Sequence, residues 1–178
     1  MTLSKERSDV VINEVKPSEI AELSLLARRT YTDTFGSEFE PGDLDRYLEA
    51  TVSVTRWRQY LVHDQVMMAW NGAAAVGFIH FGRGEDKAEV VIHRLYVDKG
   101  AQGQGIGTCL LERALAHDDV KVAALVRIDV WENNHDARRL YERYGFRHEG
   151  RMEPFISDDG LIEGYDLVLI KRRNSPSD

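Results

Sequence analysis

Hydrophobic and polar positions change period several times along the chain. Residues 9–15 alternate, which predicts a first strand. Pro17-Ser18-Glu19 then opens a helix carried by Ile20, Leu23, Leu26 and Ala27, and Thr30-Tyr31-Thr32-Asp33-Thr34-Phe35-Gly36 is expected to lead the chain out of it. Leu44, Tyr47, Leu48, Trp57 and Leu61 predict a second helical region within 42–62. Val66–Trp70 and Ala74–Phe81 flank Asn71-Gly72, the signal of a hairpin with a type I′ turn. Gly82–Lys87 reads as another turn, followed by a buried strand over Val90–Val97. An amphipathic helix over Thr108–Leu115, an apolar strand over Val122–Trp131 and a helix with Ala137, Leu140, Tyr141 and Tyr144 on one face come next. Arg147–Met152 and Leu161–Lys171 predict two closing strands, and the polar tail 174–178 is expected to be flexible. The order is β-α-α-β-β-β-α-β-α-β-β, an α/β (mixed α+β) class with a mixed sheet flanked by helices. One domain over residues 1–173 is expected.

Between the strand ending at Val97 and the helix at Thr108 stands Gln102-Gly103-Gln104-Gly105-Ile106-Gly107. A strand, a glycine loop and a helix start build an anion site, because the first helix amides lack intrahelical partners and the helix dipole is positive there. Glycines let the backbone close on a phosphate without a Cβ in the way. Two common phosphate loops fail. Gly100 and Gly105 have Walker A spacing, but Ile106 stands where Lys is required. Gly103 and Gly105 start a dinucleotide fingerprint, but Thr108 occupies its third glycine. A tight turn without a ligand also uses glycine.

Downstream, Asn134 is an N-cap candidate, and Gly145 suits the left-handed position that stops a helix. The loop, read as Gln-x-x-Gly-x-Gly, resembles motif A of the GNAT superfamily of acetyl-CoA-dependent N-acetyltransferases. Asn134, Ala137, Leu140, Tyr141, Gly145 and Phe146 are similar to its motif B at every fixed position. The resemblance covers about a third of the chain and implies the GNAT fold, in which the strands before the two motifs are parallel neighbours that splay apart. It further implies acetyl-CoA as the acetyl donor. Gln102, Gly103, Gln104, Gly105, Ile106, Gly107 and Thr108 would cradle the pyrophosphate. Leu95, Tyr96 and Val97 would offer backbone groups to the thioester and pantetheine, and Asn134 would bond the pantetheine arm.

Amide formation from a thioester needs a neutral amine, a donor for the oxyanion and a proton for the leaving thiolate. The resemblance makes Tyr141 the acid, against the plain reading of a buried aromatic; Tyr144 is the weaker candidate. His93 occupies the strand position at which the family often carries a catalytic glutamate. It is taken as the base, with Glu89 on the same face as the alternative and a satisfied core histidine as the plain reading. Arg143 reads as a solvated helix-face residue.

Tyr31-Thr32-Asp33-Thr34-Phe35, Arg94-Leu95-Tyr96-Val97, Val130-Trp131-Glu132-Asn133-Asn134 and Phe155-Ile156-Ser157-Asp158-Asp159 with Asp166 resemble the PaiA-type polyamine acetyltransferase branch. A polyamine acceptor follows as one expectation. A peptide N-terminus, an amino acid, an aminoglycoside, or a coenzyme A-binding sensor without turnover remain alternatives. Asp33, Glu38, Glu40 and Asp43 offer charge to a polycation or form an ordinary solvated loop.

The net charge of −7 argues against a nucleic-acid surface and is compatible with a cationic small-molecule amine. No apolar run approaches the ~20 residues of a membrane span. Residues 1–9 lack the apolar centre of a signal peptide, so a cytoplasmic location is the default expectation. The single cysteine, Cys109, excludes an intrachain disulfide and reads as a small helix residue packed on the sheet. The six histidines show no metal-ligand spacing, and no metal site is expected. Exposed strand edges are compatible with a homodimer.

Overall fold

A computed structural model of the chain describes residues 10–40, 42–156 and 162–173. Seven strands form one mostly antiparallel sheet in the order β1-β2-β3-β4-β5-β7-β6, flanked by helices. The strands are β1 (Val10–Glu14), β2 (Gln65–Asn71), β3 (Ala74–Arg83), β4 (Glu89–Val97), β5 (Leu125–Trp131), β6 (Arg147–Ile156) and β7 (Ile162–Arg172). The helices are α1 (Ile20–Phe35), α2 (Asp43–Val52), α3 (Val54–Tyr60), α4 (Ile106–Leu115), α5 (Asp118–Val122) and α6 (His135–Arg143). The mixed α/β class expected from the sequence is observed. Contacts divide the chain into two compact units, Met1–Phe81 with Arg94–Ala114, and Gly82–His93 with Leu115–Asp178.

In the first unit α1, α2 and α3 cover one face of β2 and β3. Ile20, Leu23, Leu26, Leu48, Val52 and Trp57 meet Val66, Met68, Ala75 and Phe78 in one cluster. Ala75 and Phe78 share that face because Val76 is an extra residue: Ala69 pairs with Gly77, and Trp70 with Ala75. Gly77 faces the other way, where an added Cβ would lie 3.1 Å from Leu110, 3.1 Å from the Tyr96 carbonyl oxygen and 3.3 Å from Ile106. The missing side chain lets α4 settle on the strand.

Three expectations are corrected in this unit. Helix α1 does not end before Thr30; it runs to Phe35. Thr30 is buried and donates its hydroxyl to the carbonyls of Leu26 and Ala27, and Thr34 does the same to Thr30. The threonines are thus satisfied inside the helix instead of breaking it. The region 42–62 holds two helices, because Ser53 ends α2 and accepts the Arg56 amide to cap α3. The β2–β3 turn sits one residue later than expected. Asn71 pairs with Ala74, and only Gly72 of the two loop residues has positive φ, at 59°. Type I′ needs positive φ at both; glycine at the first position alone is the type II′ requirement.

In the second unit β5 alternates cleanly: Val126, Ile128 and Val130 are buried, while Arg127 and Asp129 point away from that core. β5 pairs in parallel with β4 from Glu89↔Leu125 to Ile92↔Ile128, and antiparallel with β7 along its whole length. Gly164 gives Trp131 room on β7, since a Cβ there would stand 2.1 Å from the indole. The sequence missed α5, a five-residue helix capped by His117. Ser157, Asp158, Asp159 and the tail 174–178 lie outside the described residues.

Candidate active site

The glycine loop belongs wholly to the first unit. Asp98 follows β4 and accepts the Gly100 amide at 3.0 Å, starting a single turn over Lys99–Ala101. Arg29 Nε on α1 lies 2.5 Å from the other Asp98 oxygen. Burial raises the Asp98 carboxyl, but the Arg29 and Gly100 hydrogen bonds and the Arg29 charge outweigh it and hold the group below the usual carboxylate range. Gln102 folds back and donates to the Val97 carbonyl at 3.1 Å. Gly103 and Gly105 have φ of 75° and 81°, conformations that favour glycine, and a Cβ at either would meet nothing within 4 Å. The first bond of α4 runs from the Cys109 amide to the Gly105 carbonyl at 3.0 Å. The amides of Ile106, Gly107 and Thr108 therefore stand ahead of the intrahelical ladder, at the positive end of the dipole. Leu95, Tyr96 and Val97 lead into this turn and are half-buried. The helix starts at Ile106, two residues earlier than the pattern indicated, and Cys109 is exposed and not packed on the sheet.

In the second unit, Glu89, Val91 and His93 line one wall of a cavity of about 680 Å³. Arg83, Glu85, Asp86, Arg127, Asp129 and Arg151 complete most of its lining. Both sequence candidates for the base therefore face the same space. Arg127 donates to both Asp129 oxygens, at 2.8 and 2.7 Å, and that pairing raises its already high pKa. Arg151 is paired with Glu153 at 2.6 Å. With those two arginines engaged, Glu85, Asp86 and Glu89 outnumber Arg83 and leave the cavity with acidic character. Burial, and then the neighbouring Asp129 charge, push the Asp166 carboxyl upward. Sequence reasoning missed Arg127 and Asp129; their signal was the polar half of the β5 alternation.

Tyr141 and Asn134 lie in the same unit. Asn134 accepts the Ala137 amide at 3.1 Å, so it is the N-cap of α6 as expected. Tyr141 is the buried residue of that helix, at 4% exposure, with Phe146 edge-on at 5.8 Å. Tyr144 is half-buried, and Arg143 is exposed. Gly145, with φ of 87°, ends the helix, and Lys171 bonds the Tyr144 carbonyl at 2.7 Å.

The profile of the acetyltransferase (GNAT) domain family matches residues 62–148, a range that holds both motifs. The chain carries a GNAT acetyltransferase domain. This makes it an acetyl-CoA-dependent N-acetyltransferase. An uncharacterised N-acetyltransferase of Mycobacterium bovis is 28% identical over 131 residues, covering 72% of this chain and 83% of that one. A spermine/spermidine N(1)-acetyltransferase of Bacillus subtilis is 28% identical over 85 residues, 44% of this chain and 56% of its own. Among solved structures, the PaiA N-acetyltransferase of Thermoplasma acidophilum in complex with coenzyme A shares the fold of this GNAT chain. Its TM-score is 0.75 at 18% identity, covering 93% of this chain and 99% of that one. Among the described residues of the GNAT chain, no helix is long and apolar enough to cross a membrane.

Proposed function

We propose that residues 1–173 act as one catalytic domain that transfers acetyl from acetyl-CoA to a primary amine of a small cationic acceptor, a polyamine first among them. The observation that carries the acceptor class is the cavity that brings both candidate bases, Glu89 and His93, together with Glu85 and Asp86; once Arg127 is paired with Asp129 and Arg151 with Glu153, these three carboxylates face Arg83 alone among the lining cations. Carboxylates facing a cavity attract ammonium groups, and a second ammonium on the same molecule adds to the attraction. The net charge of −7 works in the same direction. The spermine/spermidine acetyltransferase relative supports the same class.

The glycine loop fits a pyrophosphate. Its two positive-φ glycines leave open space where side chains would stand, and the amides of Ile106, Gly107 and Thr108 precede the first helix bond. Gln102, Gly103, Gln104 and Gly105 shape the approach, Leu95, Tyr96 and Val97 offer backbone groups to the pantetheine, and Asn134 caps α6 beside that role. His93 takes the proton from the acceptor ammonium. The freed amine attacks the thioester carbonyl in a ternary complex, and the carbon–sulfur bond breaks as the tetrahedral intermediate collapses. Tyr141 gives its hydroxyl proton to the departing thiolate, and the second nitrogen proton, shed as the amide forms, restores the tyrosine hydroxyl. The outer strands β1 and β6 are compatible with a homodimer.

Thiol release from acetyl-CoA across a panel of spermidine, spermine, amino acids, peptides and aminoglycosides tests the reading. The highest kcat/KM is expected with the polyamines. Coenzyme binding without turnover on any amine would return the chain to a sensor.

A further inference from the structure

His80, on β3 in the first unit, is only 1% exposed, yet both of its ring nitrogens are engaged. Nε2 lies 2.8 Å from Asp64 Oδ2, and Nδ1 lies 3.0 Å from Arg94 Nη1. A guanidinium has donors and no acceptor. The nitrogen that faces it must therefore accept, which leaves the ring proton on Nε2, donated to Asp64. Burial lowers the His80 pKa, the Asp64 hydrogen bond opposes this, and the Arg94 charge lowers it further, in keeping with a neutral ring.

Arg94 is also held on its flat side. Its guanidinium carbon is 5.3 Å from the Tyr60 ring centroid and 5.6 Å from that of Trp57. Trp57 is fully buried, and its indole N–H has no hydrogen-bond partner. Its ring meets those of His80 and Tyr60 edge-on, with centroids 5.3 and 5.6 Å away. Arg94 is thus fixed by α3 from one side and by β3 from another. In the chain it stands between His93 and Leu95.

We propose that His80 is a positioning residue for acetyl transfer: held in the Nε2–H form by Asp64, it fixes Arg94 and, through Arg94, the part of β4 that carries His93 and Leu95. The proposal rests on acetyl transfer being the activity, and it is independent of whether His93 or Glu89 is the base. An apolar ring at position 80 fills the space but removes the hydrogen bonds that Asp64 and Arg94 make with His80. Glutamine carries one donor and one acceptor on neighbouring atoms and can serve both.

Long-range ¹H–¹⁵N correlation on the intact, unaltered protein at neutral pH reads the tautomer directly. Nε2–H is expected; an Nδ1–H or doubly protonated ring overturns the proposal. In steady-state assays with the best amine acceptor, His80→Phe is expected to lower kcat roughly tenfold or more, with KM for acetyl-CoA within about twofold. His80→Gln is expected to recover most of that loss. If His80→Phe does not fold, Arg94→Lys replaces it, keeping the charge but losing the planar fork and the stacking, with the same split expected. Unchanged kcat in the folded variant, or equal losses for Gln and Phe, refutes the positioning role. Absence of turnover by the unaltered protein on every amine refutes the acetyl-transfer reading instead.

Discussion

Arg29 Nε sits 2.5 Å from Asp98 Oδ2, tying the second half of α1 to the residue that opens the turn into the glycine loop. Asp98 also accepts the Gly100 amide with its other oxygen. One carboxylate therefore sets both the direction of the chain after β4 and its attachment to α1.

Asp98→Ala is expected to cost about 1 kcal/mol of stability, the usual scale for losing such a cap, because solvent screens the ionic part of a half-exposed pair. The carboxyl is held below its ordinary pKa, so its contribution is complete above the unfolded value of about 3.9 and fades as pH falls through the lower folded value. Urea unfolding of the two proteins should show a constant gap at neutral pH that closes in acid. A gap that persists at the lowest pH would contradict the assignment.

Gly105→Val should weaken coenzyme A binding strongly in calorimetry, with a stability loss of about 1–2 kcal/mol from the left-handed backbone. A Cβ at that position meets no protein atom within 4 Å, so the cost is conformation and ligand approach, not packing. Unaltered affinity would remove the loop from the coenzyme site.

Gly77→Ala addresses packing alone. The new Cβ would press on Leu110, Ile106 and the Tyr96 carbonyl at 3.1–3.3 Å. A loss of about 1–3 kcal/mol is expected on thermal or urea unfolding. No loss would mean that α4 can shift without cost.

Tyr141→Phe should lower single-turnover acetyl transfer roughly tenfold or more, against a general-acid range of about 10²–10⁴. The ring stays to pack on Phe146, so stability should hold. An unchanged rate removes the hydroxyl from the mechanism.

His93→Ala and Glu89→Gln separate the two residues that share one cavity wall. With His93 as base, its loss should cost kcat/KM about 10²-fold, and Glu89→Gln should chiefly raise KM for a polycation. The reverse ranking makes Glu89 the base.

Local spacing carried much of this fold and site into view. Asn134 as a cap, Gly145 as a stop and the strand–loop–helix around Gly103 and Gly105 are set by neighbouring residues, and each is found as expected. The misreadings have tertiary causes. Thr30 looked like a helix exit because its buried surroundings and carbonyl bonds are invisible in a window of sequence. Val76 shifts the strand by one residue, and no local pattern marks it. Asp64, His80 and Arg94 are separated by 16 and 14 positions, so only the pairing of strands and the path of α3 could bring them together.

The strand order β5-β7-β6 puts the last strand between two earlier ones. During synthesis, β5 and β6 leave the ribosome with their facing edges unpaired, and neither ladder can form until β7 emerges. The first unit draws only on residues up to Ala114 and can assemble meanwhile. The second half therefore spends the longest time with open strand edges. Removing β7 would leave those edges permanently bare, a state prone to pair with other chains instead of its own.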